Sequence, residues 1–328
     1  MKAVVCRQFG PPESLTIEDL PSPRPGAGQV VVSVRAASLN FPDVLVIQDK
    51  YQIKPPLPFS PGSELAGVVK EVGAGVTAVA PGDRVMAAVG VGAFAEEVAI
   101  DEAKLHRIPD RMTDEEASGF LFTYGTCEHA LRDRGALQAG EILLVLGASG
   151  GIGIAAIEIG VAVGARVIAC ASSEEKLAVC RQHGATYTID YAHEDLRERI
   201  KVITDGRGAD VVCDAVGGPY TEPALRSTAW RGRLLVVGFA AGGIPKIPLN
   251  LVLLKGCAIV GVFWGDFVRR EPARFSDSVT LLCEWHAAGK LKPHISEILP
   301  LERAAEALQK MTSREVTGKI VLRVSSEL

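Results

Sequence analysis

The pattern of hydrophobic and polar positions changes near residue 120. Before that point, short apolar or alternating runs rich in β-branched residues are separated by glycine and proline turns. Many short strands joined by such turns predict a barrel-like all-β domain. The predicted strands are Lys2–Cys6, Gln29–Ala36, Val68–Val72, Arg84–Ala88 and Phe94–Ile100.

From about residue 121, apolar strands alternate with amphipathic or apolar helices. This alternation predicts a doubly wound parallel sheet. The predicted strands are Ile142–Leu146, Arg166–Ala169, Thr186–Ile189, Asp210–Asp214, Arg233–Val237 and Cys257–Val262. The predicted helices are 152–163, Glu174–His183, Glu194–Ile203 and Tyr220–Thr228.

Beyond residue 262 the pattern predicts helices at Ala273–Ala288 and Leu301–Lys310 and a strand at Lys319–Val324. These are too few residues for a third domain, so we expect the chain to return to the first. Residues 1–122 and 263–328 would then form the β-barrel domain and residues 123–262 the nucleotide-binding domain. The active site is expected in the cleft between them.

A glycine-rich turn follows the strand Ile142–Leu146 and opens an apolar helix that ends before Gly164. The order strand, glycine turn, helix is the setting of a dinucleotide-binding motif, in which backbone amides face the pyrophosphate. In the G-x-G-x-x-G register the first position is Ala148, followed by Gly150 and Gly153. Such a turn also occurs in α/β proteins that bind no dinucleotide. The motif alone is therefore weak evidence, and the interpretation depends on the motifs in the rest of the chain.

Composition excludes several classes of function. The chain has 328 residues, 48% of them hydrophobic, and a net charge of −4, which disfavours binding to nucleic acid or to anionic membranes. We expect no signal peptide and no membrane span, and therefore a soluble, cytoplasmic protein. The seven cysteines are dispersed without a zinc-type spacing, which is typical of reduced thiols.

Eight motifs distributed over nearly the whole chain resemble those of one family. They are Ala36-Ala-Ser-Leu-Asn-Phe-Pro-Asp43, Pro61-Gly-Ser-Glu-Leu-Ala-Gly-Val-Val69, Gly82-Asp-Arg-Val85, Gly92-Ala-Phe-Ala-Glu96, Gly147–Gly153, Ala171-Ser-Ser-Glu-Glu-Lys176, Asp214-Ala-Val-Gly-Gly218 and Gly318-Lys-Ile-Val321. The chain resembles the zinc-free, zeta-crystallin-like quinone oxidoreductases of the medium-chain dehydrogenase/reductase superfamily. This resemblance implies an α/β protein with a GroES-like β-barrel domain and a Rossmann NADP-binding domain, usually assembled as a homodimer.

The zinc-dependent relatives carry Gly-His-Glu where this chain has Gly62-Ser63-Glu64, and no cysteine lies between Cys6 and Cys127. We therefore expect no metal, and we expect Glu64 to pair with a basic residue of the barrel. Without a Lewis acid, oxidation of alcohols is disfavoured. Reduction of a quinone or another conjugated carbonyl compound, which needs less activation, is favoured.

The end of the second Rossmann strand determines which dinucleotide fits. In the family that this chain resembles, the pattern for NADPH is a small hydroxyl residue followed by a lysine, with an aromatic or basic residue after the third strand. Ser172 or Ser173, Lys176 and Tyr191 match this pattern. Glu174 and its neighbour Glu175 argue against a phosphate. A second interpretation, compatible with the first, is that Ser172-x-x-Glu175 is a capping box and Lys176 a solvated helix residue. We expect NADPH.

The resemblance implies further cofactor contacts in the turns that follow the strands. Lys319 is also a candidate, although a lysine that simply opens a strand explains it equally well. The remaining candidates are Asn40, Tyr51, Thr126, Ser149, Gly150, Gly151, Ile152, Gly217, Gly218, Val237, Gly238, Phe239, Phe263 and Trp264.

The expected reaction is hydride transfer from C4 of NADPH to the acceptor. A developing oxyanion needs a hydrogen-bond donor, and Asn40 and Tyr51 are the candidates. Tyr51 follows Gln48-Asp-Lys50, where the family usually has arginine and glycine. Asp43 is the third candidate, expected to cap a helix or orient its neighbours rather than act as a base.

Two other functions stay open. One is NADPH-dependent reduction of a 2-enal, an enone or an enoyl-CoA, for which Arg269, Arg270 and Arg274 could bind phosphates. The other is a non-enzymatic NADPH-binding protein with a structural or RNA-binding role, which the acidic balance disfavours. A homodimer would pair the edge strands of two Rossmann sheets, with Leu251–Val260 as an apolar contributor.

Overall fold

The computed structural model describes residues 1–313 and 315–324, which belong to two compact units. The first unit contains Met1–Phe122 and the described residues from Pro293 to residue 324, and the second contains Thr123–Lys292. None of the helices in the described residues has the length and apolar character needed to cross a membrane.

The first unit begins with seven strands and three helices. The strands are β1 Lys2–Val5, β2 Thr16–Asp19, β3 Gln29–Ser38, β4 Glu64–Val72, β5 Arg84–Ala88, β6 Glu97–Asp101 and β7 Leu105–Arg107. The helices are α1 Phe41–Val46, α2 Asp114–Ser118 and the beginning of α3 Phe120–Glu128, which continues into the second unit.

The second unit alternates strands and helices. A π-helical segment, His129–Arg134, directly follows α3. The strands are β8 Ile142–Leu146, β9 Arg166–Ala171, β10 Tyr187–Asp190, β11 Ala209–Asp214, β12 Thr228–Val236 and β13 Ala258–Gly261. The helices are α4 Gly151–Val163, α5 Glu174–Gln182, α6 Leu196–Ile203, α7 Thr221–Arg226, α8 Asn250–Lys255, α9 Trp264–Arg270 and α10 Pro272–Ala287.

The chain then returns to the first unit and completes its sheet. The returning elements are β14 Ile295–Pro300, α11 Ala304–Thr312 and β15 Lys319–Arg323. The strand order is β14-β15-β3-β4-β5-β7, and β6 also pairs with β3. Its core is formed by alternate inward-facing apolar side chains such as Val32, Val34, Leu65 and Phe94. This is the predicted GroES-like domain.

The register of three strands brings distant polar residues together. Ser38 at the end of β3 lies opposite Glu64 at the beginning of β4. On its other edge β3 pairs with β15, where Val321 lies opposite Ser38. The backbone N–H of Leu39 donates to the carbonyl of Ile320, which brings the beginning of β15 beside the turn that leads into α1.

The second unit is built on a six-stranded parallel sheet in the order β10-β9-β8-β11-β12-β13. From β8 the chain adds β9 and β10 on one side of the sheet and then β11, β12 and β13 on the other. Ligands of such sheets bind at the carboxyl ends of the strands beside this switch point, here β8 and β11. The predicted Rossmann domain is confirmed.

The structure moves the second predicted boundary from residue 262 to residue 292. Residues 263–292 pack on α3 and the π-helical segment: Phe267 stacks on His129 with ring centroids 4.1 Å apart, and Ser278 Oγ donates to Glu128 Oε2 at 2.6 Å. Periodicity shows that α10 has an apolar face, but it cannot show which domain covers that face.

Two segments differ locally from the predictions. The helix predicted for Tyr220–Thr228 ends at Arg226, and Thr228 already begins β12. The apolar segment Leu251–Val260 is divided between α8 and β13, because Gly256 adopts a left-handed conformation that ends the helix.

Candidate active site

A buried ion pair lies at the centre of the polar cluster in the first unit. Lys319 Nζ lies 3.0 Å from Glu64 Oε1, and the two side chains are 7% and 1% exposed. The predicted pairing of Glu64 with a basic residue is confirmed. Glu64 also accepts hydrogen bonds from Ser38 Oγ at 2.7 Å and from the backbone N–H of Phe122 at 3.0 Å. These bonds compensate for the desolvation of a buried carboxylate.

Lys319 uses its three donors inside the protein. Besides Glu64 it donates to the carbonyl oxygen of Leu39 at 2.7 Å and to Asn40 Oδ1 at 2.6 Å. An ammonium has three hydrogens, so none is left for a cofactor in this arrangement. Lys319 was considered both as a cofactor contact and as a lysine that simply opens a strand. Its contacts in the structure are all with the protein.

Asn40 is held in one amide orientation by the same cluster. Its Oδ1 accepts from Lys319, while its Nδ2 donates to Ser63 Oγ at 3.0 Å and to Glu64 Oε1 at 2.9 Å. Both amide hydrogens are therefore engaged. The Asn40 amide therefore has no free N–H to offer an oxyanion in this arrangement.

Asp43 lies in the first turn of α1 and is 2% exposed. Its Oδ2 accepts the backbone N–H of Asn40 at 2.7 Å, which confirms the predicted capping of the helix. Burial raises the pKa of Asp43 to about 7, against the lowering effects of the Asn40 amide, Ser63 and Lys319. Tyr51 is half-buried, and burial, with a smaller contribution from the charge of Asp43, raises its pKa.

The turn that leads to Tyr51 forms without the glycine that relatives usually have there. Asp49 takes a left-handed conformation with φ of 57°. Aspartate tolerates this region better than most residues other than glycine. The backbone N–H of Lys50 donates to the carbonyl of Leu45 at 2.9 Å, which turns the chain back over α1.

The residues of this cluster do not fit a catalytic zinc ion. Glu64 is saturated by hydrogen bonds, and the Lys319 ammonium beside it would repel a cation. Within residues 1–313 and 315–324, no three His, Cys, Asp or Glu side chains are grouped as metal ligands.

In the second unit, the glycine-rich turn joins β8 to α4. The left-handed residue is Gly147, with φ of 64°, so Ala148 can replace the first glycine of the motif. A Cβ on Gly153 would lie 2.4 Å from the carbonyl oxygens of Gly147 and Ala148. Gly150 is the N-cap of α4, and a Cβ there would meet only one atom, at 3.6 Å. Gly153 is therefore required for the fold, whereas Gly150 leaves space above the turn.

The first α4 amides, from Gly151 and Ile152, lie at this turn beside Ser149. They follow β8 at the carboxyl edge of the sheet, where a helix N-terminus can bind a pyrophosphate. The buried hydroxyl of Thr126, on α3, has no hydrogen-bond partner among the described residues. An unpaired buried hydroxyl is unfavourable unless a ligand or water satisfies it, so this observation fits a bound cofactor.

The end of β9 carries the residues predicted to bind a phosphate. Lys176 Nζ donates to Ser172 Oγ at 3.3 Å. The N-cap of α5 is Ser173, which accepts from the Lys176 backbone N–H, and not Ser172 as the capping-box interpretation required. Glu174 is 73% exposed and paired with Arg181. Its charge is thus partly neutralised by Arg181.

The remaining candidates follow the other strands of the same sheet. Tyr191 follows β10, and its ring lies 4.4 Å from that of Tyr220, an aromatic neighbour that the sequence reasoning missed. Gly217 and Gly218 follow β11 with φ of 68° and 60°. After β12 come Val237, Gly238 and Phe239, and after β13 comes Phe263, which is 57% exposed.

Trp264 differs from these candidates because it is packed inside the second unit. It is 8% exposed, and its ring meets Phe275 edge-on with centroids 5.6 Å apart. A Cβ on Gly125 of α3 would lie 2.9 Å from its Nε1. These contacts show that the indole stabilises the packing of α9, α10 and α3.

The three arginines considered as a binding site for the phosphates of an enoyl-CoA are paired with carboxylates of the protein. Arg269 and Arg270 both donate to Asp266, at 2.8 Å each. Arg274 donates to Asp133 at 2.8 Å and to Glu271 at 2.5 Å. The region therefore offers no excess of positive charge to a polyphosphate.

Comparisons with known proteins agree with this architecture. Residues 26–110 match the family model described as "Alcohol dehydrogenase GroES-like domain", and residues 151–283 match "Zinc-binding dehydrogenase". The chain is 40% identical over 325 residues to the quinone oxidoreductase-like protein 2 homolog of Nematostella vectensis, covering 98% of this chain and 88% of the relative. The chain belongs to the quinone oxidoreductase family of the medium-chain dehydrogenase/reductase superfamily. It is an oxidoreductase.

Solved structures of other family members are similar over nearly their whole length. The quinone oxidoreductase of Pseudomonas syringae pv. tomato DC3000 is 33% identical, with a TM-score of 0.92 over 98% of this oxidoreductase and 99% of that chain. The quinone oxidoreductase of Escherichia coli, solved in complex with NADPH, is 27% identical, with a TM-score of 0.91 over 99% of this chain and 100% of the other.

Proposed function

We propose that this oxidoreductase reduces quinones with NADPH and without zinc. The observation that carries the proposal is the arrangement of side chains after β9, which would suit the 2′-phosphate of NADPH. There Lys176 donates a hydrogen bond to Ser172, and Glu174 pairs with Arg181. A lysine beside a small hydroxyl residue suits a 2′-phosphate, because charge-assisted hydrogen bonds to phosphate contribute about 1.5–3 kcal/mol. The Escherichia coli relative solved with NADPH supports this choice.

When bound, the dinucleotide would supply the hydride. The turn Gly147–Gly153 and the α4 amides would hold its pyrophosphate. The Thr126 hydroxyl would form a hydrogen bond to the same dinucleotide. Tyr191 and Tyr220 offer an aromatic surface beside the phosphate end. In the first unit, the cluster around Lys319 would position the turn that carries Asn40 and Asp43.

The choice of acceptor follows from the Lys319–Glu64 ion pair. Because the residues of this pair do not fit a metal ion, the site would offer no Lewis acid to polarise a simple carbonyl. A quinone accepts a hydride without such help. Since Arg269, Arg270 and Arg274 are paired with carboxylates, no observation favours an enoyl-CoA.

The test is nicotinamide oxidation measured with NADPH and NADH, first with an ortho-quinone and then with a 2-enoyl-CoA. We expect turnover with the quinone, at least about tenfold faster with NADPH, as the phosphate contacts imply. Turnover restricted to the enoyl thioester would reject the quinone assignment. Faster turnover with NADH would reject the role of Lys176 and make Glu174 the ribose ligand.

We also propose a homodimer in which the edge of the Rossmann sheet is covered by a second copy. The last strand of this sheet is β13, and the neighbouring helix α8 exposes Leu253 and Leu254 at 78% and 72%. Trp230 beside them is 73% exposed. Large exposed apolar patches mark interaction surfaces. Sedimentation of a 34.7 kDa species, with no dimer at micromolar concentration, would contradict this proposal.

A further inference from the structure

Asp214 ends β11 and holds the turn that follows this strand. Its Oδ1 accepts the backbone N–H groups of Val216 at 2.9 Å and of Gly217 at 2.8 Å. Its Oδ2 accepts the hydroxyl group of Thr221 at 2.6 Å. Asp214 is 2% exposed and Thr221 is 3% exposed. The three donors compensate for the burial of the Asp214 carboxyl group.

The backbone of the same residue holds the loop that follows β12. The carbonyl oxygen of Asp214 accepts the N–H groups of Val237 at 2.9 Å and of Gly238 at 3.2 Å. Three more backbone hydrogen bonds join the two loops: Ala240 donates to Ala215, Ala241 to Val216 and Gly218 to Gly243. Residues 215–218 and 237–243 therefore form one hydrogen-bonded structure, the paired loops.

Close contacts on both sides leave the paired loops little freedom. Gly217 has φ of 68°, and a Cβ on it would lie 2.8 Å from the ring of Phe239. On the other side, a Cβ on Gly147 would lie 2.7 Å from Cγ2 of Val216. The hydrogen bond from the Val216 N–H to Asp214 thus holds the Val216 side chain against the glycine-rich turn between β8 and α4.

The order of the strands places the paired loops beyond that turn. The side chains proposed to bind the 2′-phosphate follow β9, the glycine-rich turn follows β8, and the paired loops follow β11 and β12. A dinucleotide joins its two nucleosides through the pyrophosphate, so a cofactor that begins at β9 would continue over the paired loops with its nicotinamide half. We propose that Asp214 is a positioning residue that keeps this surface preformed for the nicotinamide half. The inference rests on the proposed use of NADPH.

Order in the free protein favours binding for an entropic reason. Fixing the backbone torsions of a loop when a ligand binds is unfavourable, and a loop that is already ordered avoids this loss. The Asp214 side chain fixes residues 216 and 217, and these residues in turn hold the second loop through the bonds to Val216 and Gly218. Removing the side chain should therefore loosen residues 215–218 first and 237–243 to a smaller extent.

The first test needs no cofactor. Hydrogen exchange is followed by mass spectrometry in peptides that contain residues 215–218 and 237–243 of the free protein. We expect slow exchange in the wild-type protein and exchange at least about tenfold faster in residues 215–218 of Asp214→Ala. In Asp214→Asn most protection should return, because Asn Oδ1 can accept the same two N–H groups and Nδ2 can donate to the Thr221 hydroxyl. Wild-type amides that exchange as fast as those of an unstructured peptide would overturn the proposal.

The second test compares the whole dinucleotide with its adenosine half. Isothermal titration calorimetry measures the Kd of NADPH and that of adenosine 2′,5′-bisphosphate, which lacks the nicotinamide riboside. Asp214→Ala should raise the Kd of NADPH at least about tenfold and that of the bisphosphate by less than about twofold. Partial unfolding would weaken both ligands, so equal losses would overturn the proposal. An Asp214→Asn variant as weak as Asp214→Ala would overturn it too, because the hydrogen bonds would then not be what matters.

Asp210→Ala is the matched control. Asp210 lies at the opposite end of β11 and also accepts a backbone N–H, that of Ile142, at 2.7 Å. This variant should lower stability without changing the ratio of the two Kd values. If Asp214→Ala does not fold, Thr221→Val decides: it removes one donor to Asp214 and should raise the Kd of NADPH about threefold or more, and an unchanged Kd would overturn the proposal.

Turnover enters neither readout. A protein that shows these changes in exchange and in NADPH binding but reduces no quinone would refute the proposed reaction and would still support the role of Asp214.

Discussion

The two units treat their polar groups differently. In the first unit the donors of Lys319 and Asn40 are all used within the protein, and Glu64 is surrounded by four donors. In the second unit the turn before α4 leaves space above Gly150, and the buried Thr126 hydroxyl has no hydrogen-bond partner among the described residues. A saturated cluster fixes geometry, whereas unsatisfied groups bind. The first unit therefore holds its polar side chains in place, whereas the second contains the groups for which we propose cofactor binding.

The largest effect is expected from breaking the saturated cluster. Lys319→Met leaves Glu64 buried without its partner, and removing one member of a buried ion pair costs about 3–5 kcal/mol. Chemical denaturation followed by circular dichroism would measure the loss of stability. The double variant Lys319→Met, Glu64→Gln should recover part of it. A single variant as stable as wild type would show that the pair does not hold the cluster together.

The second effect separates two glycines of the same turn. Gly153→Ala places a methyl group against backbone oxygens at 2.4 Å, so it should lower both the unfolding free energy and dinucleotide affinity. Overpacking of this kind costs about 1–3 kcal/mol. Gly150→Ala has room in the free protein and should leave stability nearly unchanged, but its methyl group would obstruct the pyrophosphate. Thermal unfolding and titration with NADPH together check the difference; equal losses of stability would contradict it.

A smaller and more selective effect is expected at the phosphate end. Lys176→Met should weaken NADPH binding by roughly tenfold to a hundredfold, the equivalent of one charge-assisted hydrogen bond, while leaving NADH binding unchanged. Fluorescence titration with both dinucleotides measures the ratio. Lys201→Met on α6 is an exposed lysine control. A variant that loses both dinucleotides equally would indicate a structural role for Lys176.

The smallest effect concerns Glu174. Because this side chain is exposed and paired with Arg181, Glu174→Gln should change affinity for NADPH by less than about 1 kcal/mol. The same titration detects the change. A large gain in NADPH affinity would mean that Glu174 faces the bound phosphate in solution.

Much of the architecture could be predicted because it depends on short-range patterns. The strand Ile142–Leu146 and the helix that Gly164 ends follow from a fully apolar run and a glycine stop, and the structure reproduces them. The turn from Asn40 to Asp43 was also predictable, since capping is a local interaction. By contrast, α10 was assigned to the wrong domain because an apolar face does not reveal which surface covers it.

The sequence by itself determined the two domain types, the glycine turn and the candidate residues at the strand ends, since each depends on neighbours along the chain. Only the tertiary structure decided what those residues can do. Strand register brings Ser38, Glu64 and Lys319 together from three distant segments. In that cluster the amide hydrogens of Asn40, which were expected to bind an oxyanion, are donated to Ser63 and Glu64. Burial then gives Asp43 its raised pKa. Both effects depend on contacts between residues far apart in the chain, which no local pattern records.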